Sequence, residues 1–282
     1  MKRLLLLIFI MAVAQIAERV NAAGISVDAG LTPAEDRWIF RTQMRYMRGK
    51  DDPAPTDREM EMYAFPVVMA YGFRSDVTLL VKQVTKYRKM TMAGSVSRDI
   101  GLDDLYLLGK YRFYRRNTRE YTFGIAPTLA LELPTGDDDF TSDTWDLEPG
   151  LFVSWRSGPW ASDLNAAYKW NGFADDGRAG LNPGDEISID LALARQFSIG
   201  GSSDTSIAPV LEFSYGHISP DDLSGHDVSN TGESLFFISP GAKFTRLSFI
   251  LEALVQIPAW QDQKGSQLEQ GTRFIIGARY MF

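Results

Sequence analysis

The chain contains no cysteine and only two histidines among its 282 residues. The absence of cysteine excludes disulfide bonds, thiolate chemistry and thiolate-bound metals. Acidic residues outnumber basic residues by 36 to 29, which gives a formal net charge of −7. An acidic chain is a poor candidate for binding a phosphate backbone. We therefore expect no nucleic-acid partner, no metal and no cofactor.

The chain also lacks an apolar run long enough to form a membrane helix. Its most apolar stretch, Leu4 to Ala14, follows two basic residues and precedes a small-residue exit at Val20-Asn21-Ala22. This run is too short to cross about 30 Å of hydrocarbon as a helix. A basic start, an apolar centre and a small-residue end are typical of a secretory signal. The sequence predicts a cleaved signal peptide over residues 1–22 and an exported domain over residues 23–282.

Apolar and polar residues alternate with period two along most of the exported domain. In the first segment Trp38 and Phe40 fall on one face, while Arg41, Gln43 and Arg45 fall on the other. A helix would mix these two sets, whereas a strand with one lipid face and one wet face separates them. A cationic side chain facing mid-bilayer lipid costs about 2–4 kcal/mol. Twelve segments are predicted as strands: 38–46, 59–73, 77–88, 104–113, 120–133, 145–156, 160–171, 185–197, 206–215, 233–245, 247–257 and 273–282.

The links between these segments alternate in length. Short links alternate with long ones, which span 49–58, 89–100, 134–143, 172–184, 217–232 and 258–267. Outer-membrane barrels combine short periplasmic turns with long outer loops. The sequence therefore predicts an all-β protein, a transmembrane antiparallel up-and-down β-barrel of about twelve strands in the bacterial outer membrane. Bulges are expected at some of the prolines inside the strands, because proline cannot donate to the ladder: Pro66, Pro127, Pro149, Pro209 and Pro240.

Two runs of residues resemble a known family. Gly101-Leu102-Asp103-Asp104-Leu105-Tyr106 and the later Leu133-Pro134-Thr135-Gly136 resemble the outer-membrane family named after the MetA (meta-cleavage) pathway of phenol degradation, and Ser239 to Phe244 and Leu251 to Pro258 resemble its closing hairpin. Members are commonly labelled outer-membrane transporters. The resemblance implies a barrel linked to uptake of aromatic or other small compounds, and it supplies no site residues.

The last four residues, Arg279-Tyr280-Met281-Phe282, resemble the aromatic C-terminal signal of outer-membrane barrels. We predict that Tyr280 and Phe282 are read by the barrel-insertion machinery. The other expected partners are outer-membrane lipid, lipopolysaccharide and a small-molecule solute.

The charged residues of the inward face are the predicted functional residues. Cations and carboxylates nearly balance there, which favours a passive channel for small solutes with a narrow polar lumen. A lumen closed by ion-pair networks, in a structural or adhesive barrel, is the alternative. The predicted lumen-lining residues are Arg41, Arg45, Lys110, Arg112, Glu120, Glu132, Asp146, Glu148, Asp163, Lys169, Glu212, Lys243, Glu252, Arg273 and Arg279.

One set of residues resembles an enzymatic site. His217, Ser219 and Asn230 resemble the site of the outer-membrane phospholipase A family in residue type and rough spacing. A serine nucleophile needs its base within hydrogen-bond reach, and Pro220 begins a long loop next to these residues. We therefore predict that the protein is not an enzyme.

The outer loops offer one pattern of oxygen ligands. Asp137, Asp139, Thr141 and Asp143 have the spacing of a calcium loop, but the central glycine and distal glutamate of such a loop are missing. A solvated loop is predicted there.

Overall fold

The computed structural model describes residues 22–54, 57–174, 177 and 180–282, without the side chains of Ser202 and Ser203. Of the predicted signal peptide 1–22, only Ala22 belongs to the described residues. Within these residues no helix is long and apolar enough to cross a membrane.

Twelve strands of the described chain form one closed antiparallel barrel. Each of these strands pairs with its neighbours in sequence, and the ring closes where the first strand pairs with the last. The all-β barrel prediction is therefore confirmed, including the weakly patterned segment 77–88. The barrel strands are β1 (Trp38–Lys50), β2 (Glu59–Arg74), β3 (Val77–Met92), β5 (Leu105–Tyr111), β7 (Thr122–Leu133), β8 (Asp146–Ser157), β9 (Trp160–Lys169), β11 (Glu186–Arg195), β13 (Ser202–Ile218), β16 (Glu233–Arg246), β17 (Phe249–Gln263) and β19 (Arg273–Met281).

Shorter strands extend the wall or pair within loops. The strands β4 (Ser95–Leu102), β6 (Tyr114–Asn117), β12 (Phe197–Ile199) and β18 (Glu269–Gln270) continue the main sheet. A separate small sheet is formed by β10 (Leu181–Asn182), β14 (Asp222–Leu223) and β15 (His226–Asp227). Below, the turn end of the barrel is the end with the short links and the start of β1, and the loop end is the opposite end.

One of the predicted long loops is instead a hairpin. Segment 89–100 was expected to be a loop, but β3 runs to Met92 and folds back into β4 through Ala93 and Gly94. Both turn residues have positive φ, 49° and 81°. Two consecutive positive φ values match the twist of flanking strands in a two-residue hairpin, so the ladder continues through the segment.

A bulge expected at some of the five strand prolines is found at Pro127, where the register shifts by one residue between the pair Lys110 and Thr128 and the pair Tyr114 and Ile125. The register does not shift at the other four prolines. Pro66, for example, keeps its partner Val84 in β3, while the pairs recorded with β1 skip from Val67 to Ala64. Each of the five prolines has an unbroken ladder on one side and a gap on the other. Proline lacks an N–H donor, and the gap lies on the side where that donor would be needed.

The barrel has an apolar exterior and a charged interior. Val67, Leu129 and Leu251 are 41%, 53% and 47% exposed, whereas the side chains of Glu212 and Asp163 are fully buried. This order is the reverse of that in a water-soluble barrel, and it suits a wall with lipid outside and a polar lumen inside.

A segment that precedes β1 lies inside the lumen, which the sequence analysis did not predict. This lumen segment, residues 22–33, enters at the turn end, where Thr32 Oγ1 donates to the Ser75 carbonyl at 2.6 Å. Its Ile25 and Val27 side chains are buried against the inner wall. Their wall contacts come from β11, β13, β17 and β19 through Ala192, Ala194, Val210, Leu254 and Ile275. The segment therefore covers one side of the lumen.

Candidate functional site in the barrel lumen

The lumen brings together most of the predicted site residues. The structure places Arg41, Arg45, Lys110, Arg112, Glu132, Asp146, Glu148, Asp163, Lys169, Glu212, Lys243, Glu252, Arg273 and Arg279 on inward-facing strand positions or at the inner rim of the barrel. The prediction that Glu120 lines the lumen is wrong, because this residue is exposed in the turn before β7. The hydroxyl of Thr118 accepts the N–H groups of Glu120 and Tyr121, which closes a turn where a strand was expected.

Glu212 holds the centre of the lumen segment. Its carboxylate accepts the main-chain N–H groups of Ile25 and Ser26, the latter at 3.1 Å, and also the Ser26 hydroxyl. A carboxylate that accepts several N–H and O–H groups binds them more strongly than a neutral acceptor does. Glu212 therefore fastens the segment to β13.

Asp163 holds the start of the same segment. The main-chain N–H of Ala23 donates to Asp163 Oδ2 at 2.5 Å, and Arg156 Nη2 donates to both carboxylate oxygens at 2.8 and 3.0 Å. Lys243 Nζ donates to the Ala23 carbonyl at 2.6 Å. Ser154 bonds Asp163 and also accepts the N–H of Gly30 at 2.8 Å. The lumen segment thus has polar contacts with β8, β9 and β16.

Glu252 organises the charges where β1 meets β19. It accepts from Arg41 Nε at 2.9 Å, Arg279 Nη2 at 3.2 Å and Gln43 Nε2 at 2.7 Å, and its side chain is fully buried. A buried carboxylate with three donors is well compensated. Arg41 also reaches Asp28 of the lumen segment at 3.8 Å.

The carboxylates of β7 and β8 have their own partners. Lys169 Nζ lies 2.8 Å from Glu132 and 3.1 Å from Asp146, while the Tyr106 hydroxyl donates to Glu148 at 2.9 Å. Each of these three carboxylates therefore has a donor, and Lys169 supplies one positive charge to the group.

A cavity of about 460 Å³ remains between the lumen segment and the opposite wall. It is lined mainly by β1, β2, β3, β5 and β19, the strands that the lumen segment leaves largely uncovered. Lys110 lies at its edge and donates to the carbonyls of Ala29 and Leu31 at 2.7 and 3.1 Å. The lumen is therefore divided into a filled side and an open side.

Sequence reasoning missed the lumen segment and four charged residues that line the cavity, Asp28, Lys82, Lys86 and Asp103. The segment alternates Ile25, Val27, Ala29 and Leu31 with small or polar residues, which is the same period-two signal that identified the strands. Asp28 belongs to that segment, and Lys82 lies on the inward parity of β3. The alternation can be read from the sequence, but nothing in the neighbouring residues indicates that the apolar side chains of this segment pack inside the barrel.

The two motifs behind the family resemblance meet in space. The Asp104 carboxylate accepts the N–H groups of Thr135 and Gly136 at 3.0 and 2.9 Å, and that of Ser142 at 2.8 Å. Asp104 is 2% exposed. The aspartate motif thus holds the start and end of the loop at 134–143.

The residues considered for other chemistry have different partners. His217 Nδ1 lies 2.8 Å from the hydroxyl of Ser234, and Asn230 Oδ1 accepts the N–H of Ser266 at 3.1 Å. Asp137 accepts the N–H of Leu102 at 2.7 Å. Among the residues that the structure describes, no group of three or more His, Cys, Asp or Glu side chains is placed to hold a metal ion.

The chain is similar to solved structures of outer-membrane proteins. An outer membrane channel from Pseudomonas putida F1 aligns with a TM-score of 0.70 at 14% identity, over 91% of this chain and all of that chain. The β domain of the autotransporter BrkA from Bordetella aligns with a TM-score of 0.49 at 12% identity, over 88% of this chain and all of that chain. No curated protein sequence matches. The family model described as "Putative MetA-pathway of phenol degradation" matches residues 60–249, and the chain belongs to this family.

Proposed function

We propose that the protein is a passive outer-membrane channel for small solutes, aromatic compounds among them. The observation that carries the proposal is the cavity of about 460 Å³ beside the lumen segment. It reaches from the level of Arg279, near the turn end, to that of Arg273, at the start of β19. An apolar outer face and a polar inner face suit an outer-membrane location. The phenol-degradation family supports an aromatic solute.

Two neighbouring residues of β2 offer a test with a matched control. Val68 lines the cavity, whereas Val67 is 41% exposed on the outer face. We expect Val68→Trp to reduce single-channel conductance in a planar bilayer, because the larger side chain fills space on the solute path. Val67→Trp adds the same bulk toward lipid and should leave the conductance unchanged.

The competing function is a structural barrel with a closed lumen. The lumen segment favours it, since residues 22–33 occupy one side of the interior. Refolded protein that gives neither bilayer current nor liposome swelling would support this alternative and overturn the channel. Equal conductance of the Val68→Trp and Val67→Trp variants would show that current does not pass through the cavity.

A further inference from the structure

The cavity is lined by an excess of positive charge. Seven cationic side chains and two carboxylates, Asp28 and Asp103, belong to its lining. The chain as a whole is acidic, so this excess results from placement rather than composition. We call the cationic set the basic wall: Arg41, Arg45, Lys82, Lys86, Lys110, Arg273 and Arg279.

Three members of the basic wall have hydrogen-bond and ring partners that are all neutral in the described structure. Arg45 donates to Gln43 Oε1 at 3.0 and 2.8 Å, and the Lys82 ammonium lies 3.9 Å from the centre of the Tyr106 ring. Arg273 donates to Gln270 at 3.2 Å and lies 4.4 Å from the centre of the Phe237 ring. An enclosed cation whose partners are all neutral remains able to bind an anion.

Carboxylates pair with three cations of the basic wall, since Glu252 binds Arg41 and Arg279, and Asp103 lies 2.6 Å from Lys86. The other four cations, Arg45, Lys82, Lys110 and Arg273, have no ion pair among the described residues. Glu212 and Asp163 bind the lumen segment, and Lys169 binds Glu132 and Asp146. The acidic strands and the open cavity therefore lie on different sides of the lumen. Charges of one sign along a narrow passage with low-dielectric walls concentrate ions of the opposite sign.

Apolar side chains separate the cations of the basic wall. Val68, Leu80, Leu108 and Ile275 line the same cavity. A volume of about 460 Å³ is in the size range of sites for small organic molecules. We propose that the cavity binds and passes small organic anions, each a carboxylate on an apolar body. This proposal rests on the channel function and names its solute class.

Reversal potentials in a KCl gradient test the charge preference. We expect the protein to pass chloride in preference to potassium, and Arg45→Gln and Lys82→Gln each to reduce that preference. Arg48→Gln is the matched control, because Arg48 lies on the same strand as Arg45 but pairs with Glu59, and both side chains are over 40% exposed. The control should keep the selectivity of the unaltered protein. Potassium preference, or equal loss in the control, would overturn the assignment.

Equilibrium dialysis of detergent-solubilised protein tests binding without relying on conductance. Benzoate is the anionic probe, and benzyl alcohol is a neutral probe of similar shape. We expect benzoate to bind more tightly than benzyl alcohol, and Arg45→Gln or Lys82→Gln to weaken benzoate binding about tenfold. The folding of each variant is checked by its resistance to unfolding in detergent gel electrophoresis. If one of the two variants does not fold, the other alone is enough to test the binding.

The two measurements separate the possible failures. Benzoate binding without current would overturn the channel but support the anion site. Current without chloride preference and without benzoate binding would overturn the anion site and leave the channel. Absence of both current and binding would overturn both proposals.

Discussion

Replacing Glu212 with glutamine should loosen the lumen segment without unfolding the barrel. The carboxylate accepts two main-chain N–H groups and one hydroxyl from Ile25 and Ser26. Hydrogen bonds to a charged group contribute roughly 1.5–3 kcal/mol and neutral ones roughly 0.5–1.5 kcal/mol. Glutamine retains one acceptor oxygen, so we estimate a loss of about 2 kcal/mol in the attachment of the segment. That loss corresponds to a rise of about thirtyfold in the population of the detached segment.

The absence of cysteine makes this population measurable. Val27 is 1% exposed, so a single cysteine introduced there as Val27→Cys reacts with a maleimide only after the segment has moved. When detachment and return are fast, the labelling rate follows the detached population. We expect Glu212→Gln to raise the labelling rate of the introduced thiol about thirtyfold.

The control for the labelling experiment is a second carboxylate of the inner wall. Asp190→Asn removes another carboxylate from an inward position of β11, and the described structure records no hydrogen bond from the lumen segment to it. It should leave the labelling rate nearly unchanged. If the Val27→Cys thiol reacts equally fast with and without the Glu212→Gln substitution, Glu212 does not fasten the segment. Urea unfolding of each variant separates local detachment from loss of the barrel.

Three further predictions concern the same interior. Glu252→Gln removes the carboxylate that pairs with buried Arg279 and leaves buried Arg41 with Asp28 at 3.8 Å. We therefore expect urea unfolding to show a loss of about 3–5 kcal/mol, against about 0–1 kcal/mol for Glu59→Gln in an exposed pair; equal losses would contradict the role of Glu252. If the signal peptide is cleaved after Ala22, the new α-amino group of Ala23 lies 2.5 Å from Asp163 Oδ2. We expect mass spectrometry to show that this amine resists acylation in the unaltered protein and is acylated in the Asp163→Asn variant. A Cβ on Gly30 would lie 2.5 Å from a main-chain oxygen of β8, so Gly30→Val should displace the lumen segment and increase bilayer conductance, and an unchanged conductance would refute this.

The strands could be predicted from the sequence because their pattern is local. Each strand has an exposed apolar face and an inward polar face, and neighbouring residues such as Phe40 and Arg41, which are 37% and 9% exposed, show this alternation directly. The same parity placed Arg41, Arg45 and Glu252 on the inward face. The prediction failed at Glu120, where the Thr118 hydroxyl closes a turn and β7 begins only at Thr122, and at 89–100, where Ala93 and Gly94 form a tight turn.

The arrangement of the lumen could not be predicted in this way. Parity shows that Arg45 and Glu212 both face inward, but only closure of the ring places one beside the open cavity and the other against the lumen segment. The path of residues 22–33 likewise depends on partners far away in sequence, such as Asp163 and Glu212. The sequence by itself determined the barrel, because apolar and polar residues alternate within each strand separately. The tertiary structure alone decided how the charges are divided inside it, because that division depends on contacts between distant strands.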